Sequence, residues 1–294
     1  MRPIITLTTD FGLEDSYVGT MKGVILGINP EAAIIDLSHQ IAPQDVRQAA
    51  YVLAAAWPHF PPGTIHVVVV DPGVGGERRA IALETPTARF VAPDNGVLSY
   101  ILAELGSGDE LSRPLSSGGE TSPSNGIPFK GEVSPGKGGA IPPGCRAVHL
   151  NNPRYWLAEV SSTFHGRDIF APVAAHLSLG VPLEELGEPI EEIVVFPVPR
   201  PELRANGTLV GHVVYIDRFG NLITDVKGRS LRPGSIIEVK GRQIWGVSRT
   251  YAEVEEGELL ALIGSSGRLE LSIRDGNAAQ ELEAGIGDEV VISG

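Results

Sequence analysis

Short apolar runs separated by polar turns open the chain, and the spacing within each run predicts its structure. Ile4–Thr8 reads as a strand; after a polar turn, Tyr17–Ile28 reads as a helix stopped by Pro30. Ala33–Leu37 predicts the next strand. Asp45–Ala56 predicts a helix with an acidic first turn that ends before Pro58. Ile65–Val70 is almost wholly apolar and β-branched, as a central strand covered on both faces requires. Arg79–Glu84 and Arg89–Ala92 continue the sheet, and Val97–Leu105 returns to helix. This alternation predicts α/β layers.

The pattern collapses over 106–144 into Gly, Ser and Pro, a composition that predicts a loop-like insert with no core of its own. Ala147–Leu150 resumes the strands, and Ile169–Leu179 predicts a helix closed by Gly180 with Pro182 beyond it. Pro197, Pro199 and Pro201 mark an extended linker over 197–207. Short strands then dominate: Thr208–Ile216, Leu222–Val226, Ile236–Val239, Leu259–Ile263, Leu269–Ile273 and Glu289–Ile292. The predicted fold class is α/β, with an N-terminal α/β domain (1–196) built on a mainly parallel sheet. A smaller C-terminal all-β, barrel-like domain (208–294) follows.

Composition narrows the function classes. With 42% hydrophobic and 20% charged residues over 294 positions, a sizeable core can be buried. No run approaches the roughly 20 apolar residues of a spanning helix. The N-terminus enters a strand directly without signal-peptide character, and the single Cys145 can form no internal disulfide; a cytoplasmic location is the expectation. The net charge of −13 comes without a clustered basic patch, which argues against nucleic acid and mildly favours a cationic small ligand.

Four segments place polar residues and glycines where apolar strands end, the ligand-binding edge of an open α/β sheet. In Thr8–Gly12, Asp10 is suited to accept two hydrogen bonds from a vicinal diol, although a lone Asp there serves equally as a turn former. Asp71-Pro72-Gly73-Val74-Gly75-Gly76-Glu77-Arg78-Arg79 resembles a phosphate cradle but lacks the Lys-Ser/Thr ending of a P-loop. Asp71 and Arg78 bracket it, either around one small site or as a surface ion pair. In Ser161–Asp168, His165 precedes a helix whose first turn Asp168 would serve. No third ligand at metal-site spacing accompanies these two, so no metal is expected, and the other six histidines read as structural. In the C-terminal domain, Asn221 is suited to read an adenine edge and Asp217 to pair an ammonium, within stretches that also suit hairpin turns.

Together these segments resemble the S-adenosylmethionine hydroxide adenosyltransferase family, hydrolytic relatives of the fluorinase and chlorinase. The resemblance rests on TLTTDFGLEDSYVGTMKGVI, VVDPGVGGERRAIAL, APDNGVLSYI, NNPRYWLAEVSSTFHGRDIFAPVAAHL, IDRFGNLITD and IGSSGRLELSIRDGNAA, which run in order from residue 6 to 279. It implies hydrolysis of S-adenosylmethionine to adenosine and methionine without a further cofactor. It also implies a homotrimer whose sites lie between one subunit's N-terminal domain and its neighbour's C-terminal domain. Asp71, Arg78 and His165 match the set that handles the water, and Asp10 the residue that holds the ribose hydroxyls. Asp217 and Ser265 match contacts to the methionine part, Asn221 an adenine contact, and the main chain near Asn277 and Ala278 adds to the adenine site. The halogenating relatives carry a tyrosine and a threonine where Asp71 and Val74 stand, and a serine at Gly166; this chain lacks those halide-holding hydroxyls. Two rival readings are a non-catalytic adenosyl-ligand-binding protein, which needs no Asp71–Arg78–His165 set, and an adenosyl transferase using another anion.

Overall fold

A computed structural model describes residues 2–106 and 138–294. It divides into two compact units, with the break between Pro197 and Val198.

The first unit is built on a seven-stranded sheet: β1 (Ile4–Thr9), β2 (Ala33–Ser38), β3 (Thr64–Val69), β4 (Ala80–Glu84), β5 (Ala88–Pro93), then β7 (Arg146–His149) and β8 (Glu188–Ile190). A separate two-stranded ribbon pairs β6 (Gly138–Ala140) with β9 (Glu192–Val194). The spatial order is β2-β1-β3-β5-β4-β7-β8. The first three pairings are parallel and the last three antiparallel, so the sheet is mixed, with a parallel half at one edge. Every residue of β3 is buried, as its apolar run requires of a central strand. Helices α1 (Tyr17–Ile28), α2 (Val46–Ala56), α3 (Ser99–Gly106) and α4 (Ala171–Ser178) complete the layers. Val18, Met21 and Ile25 of α1 are buried at spacings of three and four, and Met21 and Ile25 join Val173, Ala174 and Leu177 of α4 in one core with Leu7, Val67 and Val69. Asn29 Nδ2 donates to Ser178 Oγ at 2.8 Å, fastening the ends of these helices together.

The predicted helix over Ile169–Leu179 begins earlier and differently. Gly166–Phe170 forms a π-turn that runs into α4, with His165 at its N-cap. The insert predicted over 106–144 falls mostly outside the described residues, but its last part does not. Gly138–Ala140 is strand, and Glu192 and Val195 stand where side chains at Gly138 and Gly139 would go.

The second unit is antiparallel: β10 (Glu202–Leu203), β11 (Leu209–Ile216), β12 (Leu222–Lys227), β13 (Ile236–Val239), β14 (Arg242–Trp245), β15 (Leu259–Ile263), β16 (Arg268–Ile273) and β17 (Glu289–Ser293), with a short α5 (Ala278–Glu281). The main order is β14-β13-β17-β11-β12-β16-β15, and β10 pairs β11 from within the Pro-rich stretch. The two ends nearly meet: just past β14, Ser248 bridges Leu262 of β15, and its N–H donates to the Ala261 carbonyl at 2.8 Å. The result is a nearly closed barrel around Val213, Leu222, Val226, Ile237, Leu271 and Val290. No helix is long and apolar enough to cross a membrane among the described residues.

Candidate active site

In the first unit, β1 and β3 run parallel in register, with Thr9 opposite Val69, so Asp10 and Asp71 both follow the carboxyl ends of adjacent strands. The turn after β3 folds back on itself: Val74 N–H donates to the Asp71 carbonyl and Gly76 N–H to the Gly73 carbonyl. This return brings Arg78 onto Asp71. Its Nε donates to both carboxylate oxygens at 2.9 Å and its Nη2 to Oδ2 at 2.5 Å. The pair is almost fully enclosed, with side-chain exposures of 11% and 5%, so solvent screens it little. Nη1 of Arg78 has no partner among the described residues.

The same Nη2 donates to Nδ1 of His165 at 2.7 Å. A guanidinium has no acceptor, so Nδ1 must be the accepting nitrogen and a neutral His165 carries its proton on Nε2. Burial, followed by the Arg78 charge, lowers the His165 pKa against opposing pulls from Asp71, Asp168 and the Ser161 main chain. The imidazole is therefore held neutral through the neutral pH range.

Two further observations join the segments. Gly75 has φ +75°, and a side chain there would overlap the Ser162 carbonyl oxygen, so the turn after β3 lies flush against the Ser161–Phe164 turn. Phe164 makes edge contacts with Phe11 (5.7 Å between ring centroids) and Tyr17 (5.1 Å), which brings the Asp10 segment to the same corner. Asp10 itself accepts the Gln44 N–H through Oδ2 at 2.8 Å, and Gln44 holds φ +66° at the entry to α2. Gln44 was missed by sequence reasoning because its contribution is a main-chain N–H, which any residue supplies. Asp168 does not simply cap the first turn: it is fully buried and folds the turn that precedes His165. Among the described residues no three His, Cys, Asp or Glu side chains group to hold a metal ion.

Of the predicted residues in the second unit, Asp217, Asn221, Asn277 and Ala278 come together. Asp217 Oδ1 accepts the N–H groups of Phe219 and Asn221, and its Oδ2 accepts Asn221 Nδ2, all at 2.9 Å. The carboxylate thus shapes its own turn before it meets any ligand. Three of its roughly four acceptor positions are taken. Asn221 is left with its carbonyl oxygen and one amide hydrogen. Gly220, at φ +85°, lies against the Asn277 side chain, and Ala279 N–H donates to the Gly220 carbonyl at 2.9 Å. Asn277 caps α5 by accepting Gln280 N–H, and Ala278 is buried. Ser265 is exposed in the Gly264–Gly267 turn. Behind that turn lies Glu270, a buried carboxylate that accepts from Tyr251 Oη at 2.5 Å and Ser272 Oγ at 3.0 Å. Burial, then the Glu270 bond, pushes the Tyr251 phenol up to about 12, so it stays a donor.

Comparisons with known proteins agree along the whole chain. Residues 5–131 and 122–187 match the SAM hydroxide adenosyltransferase N-terminal domain, and residues 211–291 match the C-terminal domain. The chain is 38% identical to an (R)-S-adenosyl-L-methionine hydrolase of Salinispora tropica, over 99% of this chain and 98% of that protein. It is 39% identical to one from Thermus thermophilus, over 96% of both. A fluorinase of an Actinoplanes species is 31% identical over 80% of this chain and 75% of its own. Among solved structures, a conserved protein of Thermotoga maritima superposes with a TM-score of 0.80 at 34% identity, over 99% of this chain and 100% of that one. With both domain models matched in order and full-length relatives well above 30% identity, the chain belongs to the SAM hydroxide adenosyltransferase family.

Proposed function

We propose that the protein hydrolyses S-adenosylmethionine to adenosine and methionine, with water or hydroxide attacking the ribose 5′ carbon. The observation that carries this reading is the enclosed Asp71–Arg78–His165 network, which a protein that only binds an adenosyl ligand does not need. The hydrolase names of the full-length relatives support the substrate.

The chemistry explains why such a network suffices. The leaving group departs from a sulfonium as a neutral thioether, so it needs no proton. The difficulty lies in the nucleophile, because bulk water (pKa about 15.7) is a poor one at neutral pH. Arg78 stabilises hydroxide character through Nη1, the donor its partners leave over, in a site where little water weakens the attraction. Asp71 takes the proton as the C–O bond forms and the C–S bond breaks, and releases it to solvent afterwards. Asp71 is favoured over His165 for this step because His165 spends Nδ1 on Arg78 and carries a hydrogen on Nε2. His165 then steadies the guanidinium by accepting from Nη2, the nitrogen that also donates to Asp71. Asp10 holds the ribose hydroxyls. Asp217 and Ser265 take the methionine end, and Asn221 with the main chain of Asn277 and Ala278 takes the adenine. The reaction balances without a cofactor or metal ion, and activity should survive exhaustive chelation.

The protein works as a cytoplasmic homotrimer, with each site completed by the C-terminal unit of a neighbouring copy; family membership supports this arrangement, and light scattering at three times the 31.1 kDa chain mass tests it. The activity test is purified protein with S-adenosylmethionine in ¹⁸O-water, products separated by chromatography. Adenosine labelled at its 5′-hydroxyl plus unlabelled methionine is the expected result. Unchanged ligand would favour the binding protein, a 5′-substituted nucleoside formed from an added anion the transferase, and label in methionine would refute the attack at carbon.

A further inference from the structure

Among the described residues, Asp168 is the carboxylate acting on His165 that the chemistry above does not use. It is fully buried, yet it makes four hydrogen bonds of two kinds. On the inner side Oδ2 accepts Ser161 N–H at 2.8 Å and Ser161 Oγ at 2.7 Å; on the outer side Arg167 donates Nε to Oδ1 at 2.5 Å and Nη2 to Oδ2 at 3.1 Å. Burial alone would raise its pKa, but the Arg167 and Ser161 hydrogen bonds outweigh it and hold the group ionised. Ser161 Oγ in turn accepts Phe164 N–H at 3.1 Å, closing the turn immediately before His165. Arg167 lies over the Phe164 ring at 5.2 Å, and that ring meets Phe11 and Tyr17. The Ser162 carbonyl of the same turn abuts Gly75.

One carboxylate therefore stands behind three surfaces: the imidazole that holds Arg78, the face against the Asp71–Arg78 turn, and the ring against the Asp10 segment. We propose that Asp168, acting through Ser161, is a positioning residue that sets the Ser161–His165 turn so that His165 Nδ1 meets Arg78 while Gly75 closes on Ser162. The proposal rests on the hydrolytic reading of the site. A buried charge with four hydrogen bonds is costly to assemble and stiff once assembled, which suits a part that must hold a turn to a few tenths of an ångström.

The test compares Ser161→Ala, Ser161→Thr and Asp168→Asn with the wild type, whose own turnover of S-adenosylmethionine is measured first. A wild type that releases no adenosine refutes the hydrolytic reading and the positioning role that rests on it. With turnover established, Ser161→Ala should lower kcat at least tenfold while KM and adenosine affinity by calorimetry stay within about twofold. Ser161→Thr, which keeps the hydroxyl, should restore most of kcat. The Ser161→Ala/His165→Ala double variant should lose less than the product of the two single losses, because both changes act on the seat of Arg78. Asp168→Asn should follow Ser161→Ala if it folds; if it does not, the Ser161 series decides alone. Wild-type kcat in Ser161→Ala, equal losses in kcat and affinity, or multiplicative losses in the double variant would each overturn the proposal.

Discussion

Gly75→Ala isolates the contact between the two turns that build the candidate site. Gly75 sits at φ +75°, where an L-residue with a Cβ costs about 1 kcal/mol more than glycine. Its new methyl would also overlap the Ser162 carbonyl oxygen, a backbone atom that cannot swing aside as a flexible side chain would. Relieving the overlap needs the turns to part by roughly 1 Å, the scale at which misplacement costs on the order of 100-fold in rate. The Arg78–His165 bond, now 2.7 Å, would then exceed hydrogen-bonding range. The matching control is Gly63→Ala: Gly63 has a similar φ of +86°, but nothing lies within 4 Å of the added carbon. Gly63→Ala should lose a few degrees in Tm from the backbone strain alone, and Gly75→Ala more, because the overlap adds to the same strain. Only Gly75→Ala should lose roughly 100-fold in kcat for adenosine release. Equal kcat in the two variants would show that the Gly75–Ser162 contact does not set the geometry of Asp71, Arg78 and His165.

Arg78→Ala removes the cation that supports hydroxide character, so its rate should recover in part between pH 8 and pH 10. Asp71→Asn should recover less, because it lacks the negative acceptor; identical alkaline profiles would argue against the separate roles. Asp10→Ala should weaken adenosine binding by about 1.5–3 kcal/mol, measured by calorimetry, with a smaller effect on kcat than Arg78→Ala; unchanged affinity would remove Asp10 from the ribose site. His66 is wholly buried with Nδ1 on Thr6 Oγ1 at 2.8 Å, and burial lowers its pKa from 6.5 to about 4. The unfolded chain therefore takes up the proton first as pH falls. The stability His66 confers by staying neutral is complete above pH 6.5 and is lost on acidification toward pH 4, amounting to about 2 kcal/mol between pH 7 and pH 5. Urea titrations at the two pH values should show that loss, and Thr6→Val/His66→Phe should flatten it; an equally steep loss in the variant would exclude His66 as the cause.

The amphipathic spacing of Tyr17–Ile28 and the almost wholly apolar run at Ile65–Val70 were legible because local pattern records which faces are buried. β8 and β9 were not: each has three residues, Glu188–Ile190 and Glu192–Val194, too few to show a period, and their partners lie far away in sequence. The π-turn at Gly166–Phe170 was invisible for a related reason, since its composition suits an α-helix equally well.

The sequence by itself determined the α/β-then-β order of the chain, the residues at the strand ends and, through six ordered blocks, the family. Those are properties of residue type and spacing. Only the tertiary structure decided which of these residues meet: that Arg78 reaches both Asp71 and His165, and that Asp168 turns inward to Ser161. It also decided the protonation pattern, because His165 is an acceptor at Nδ1 only when a guanidinium 87 positions away in the chain is folded against it. Such contacts depend on how distant turns are pressed together, as at Gly75 and Ser162, and no local pattern encodes that distance.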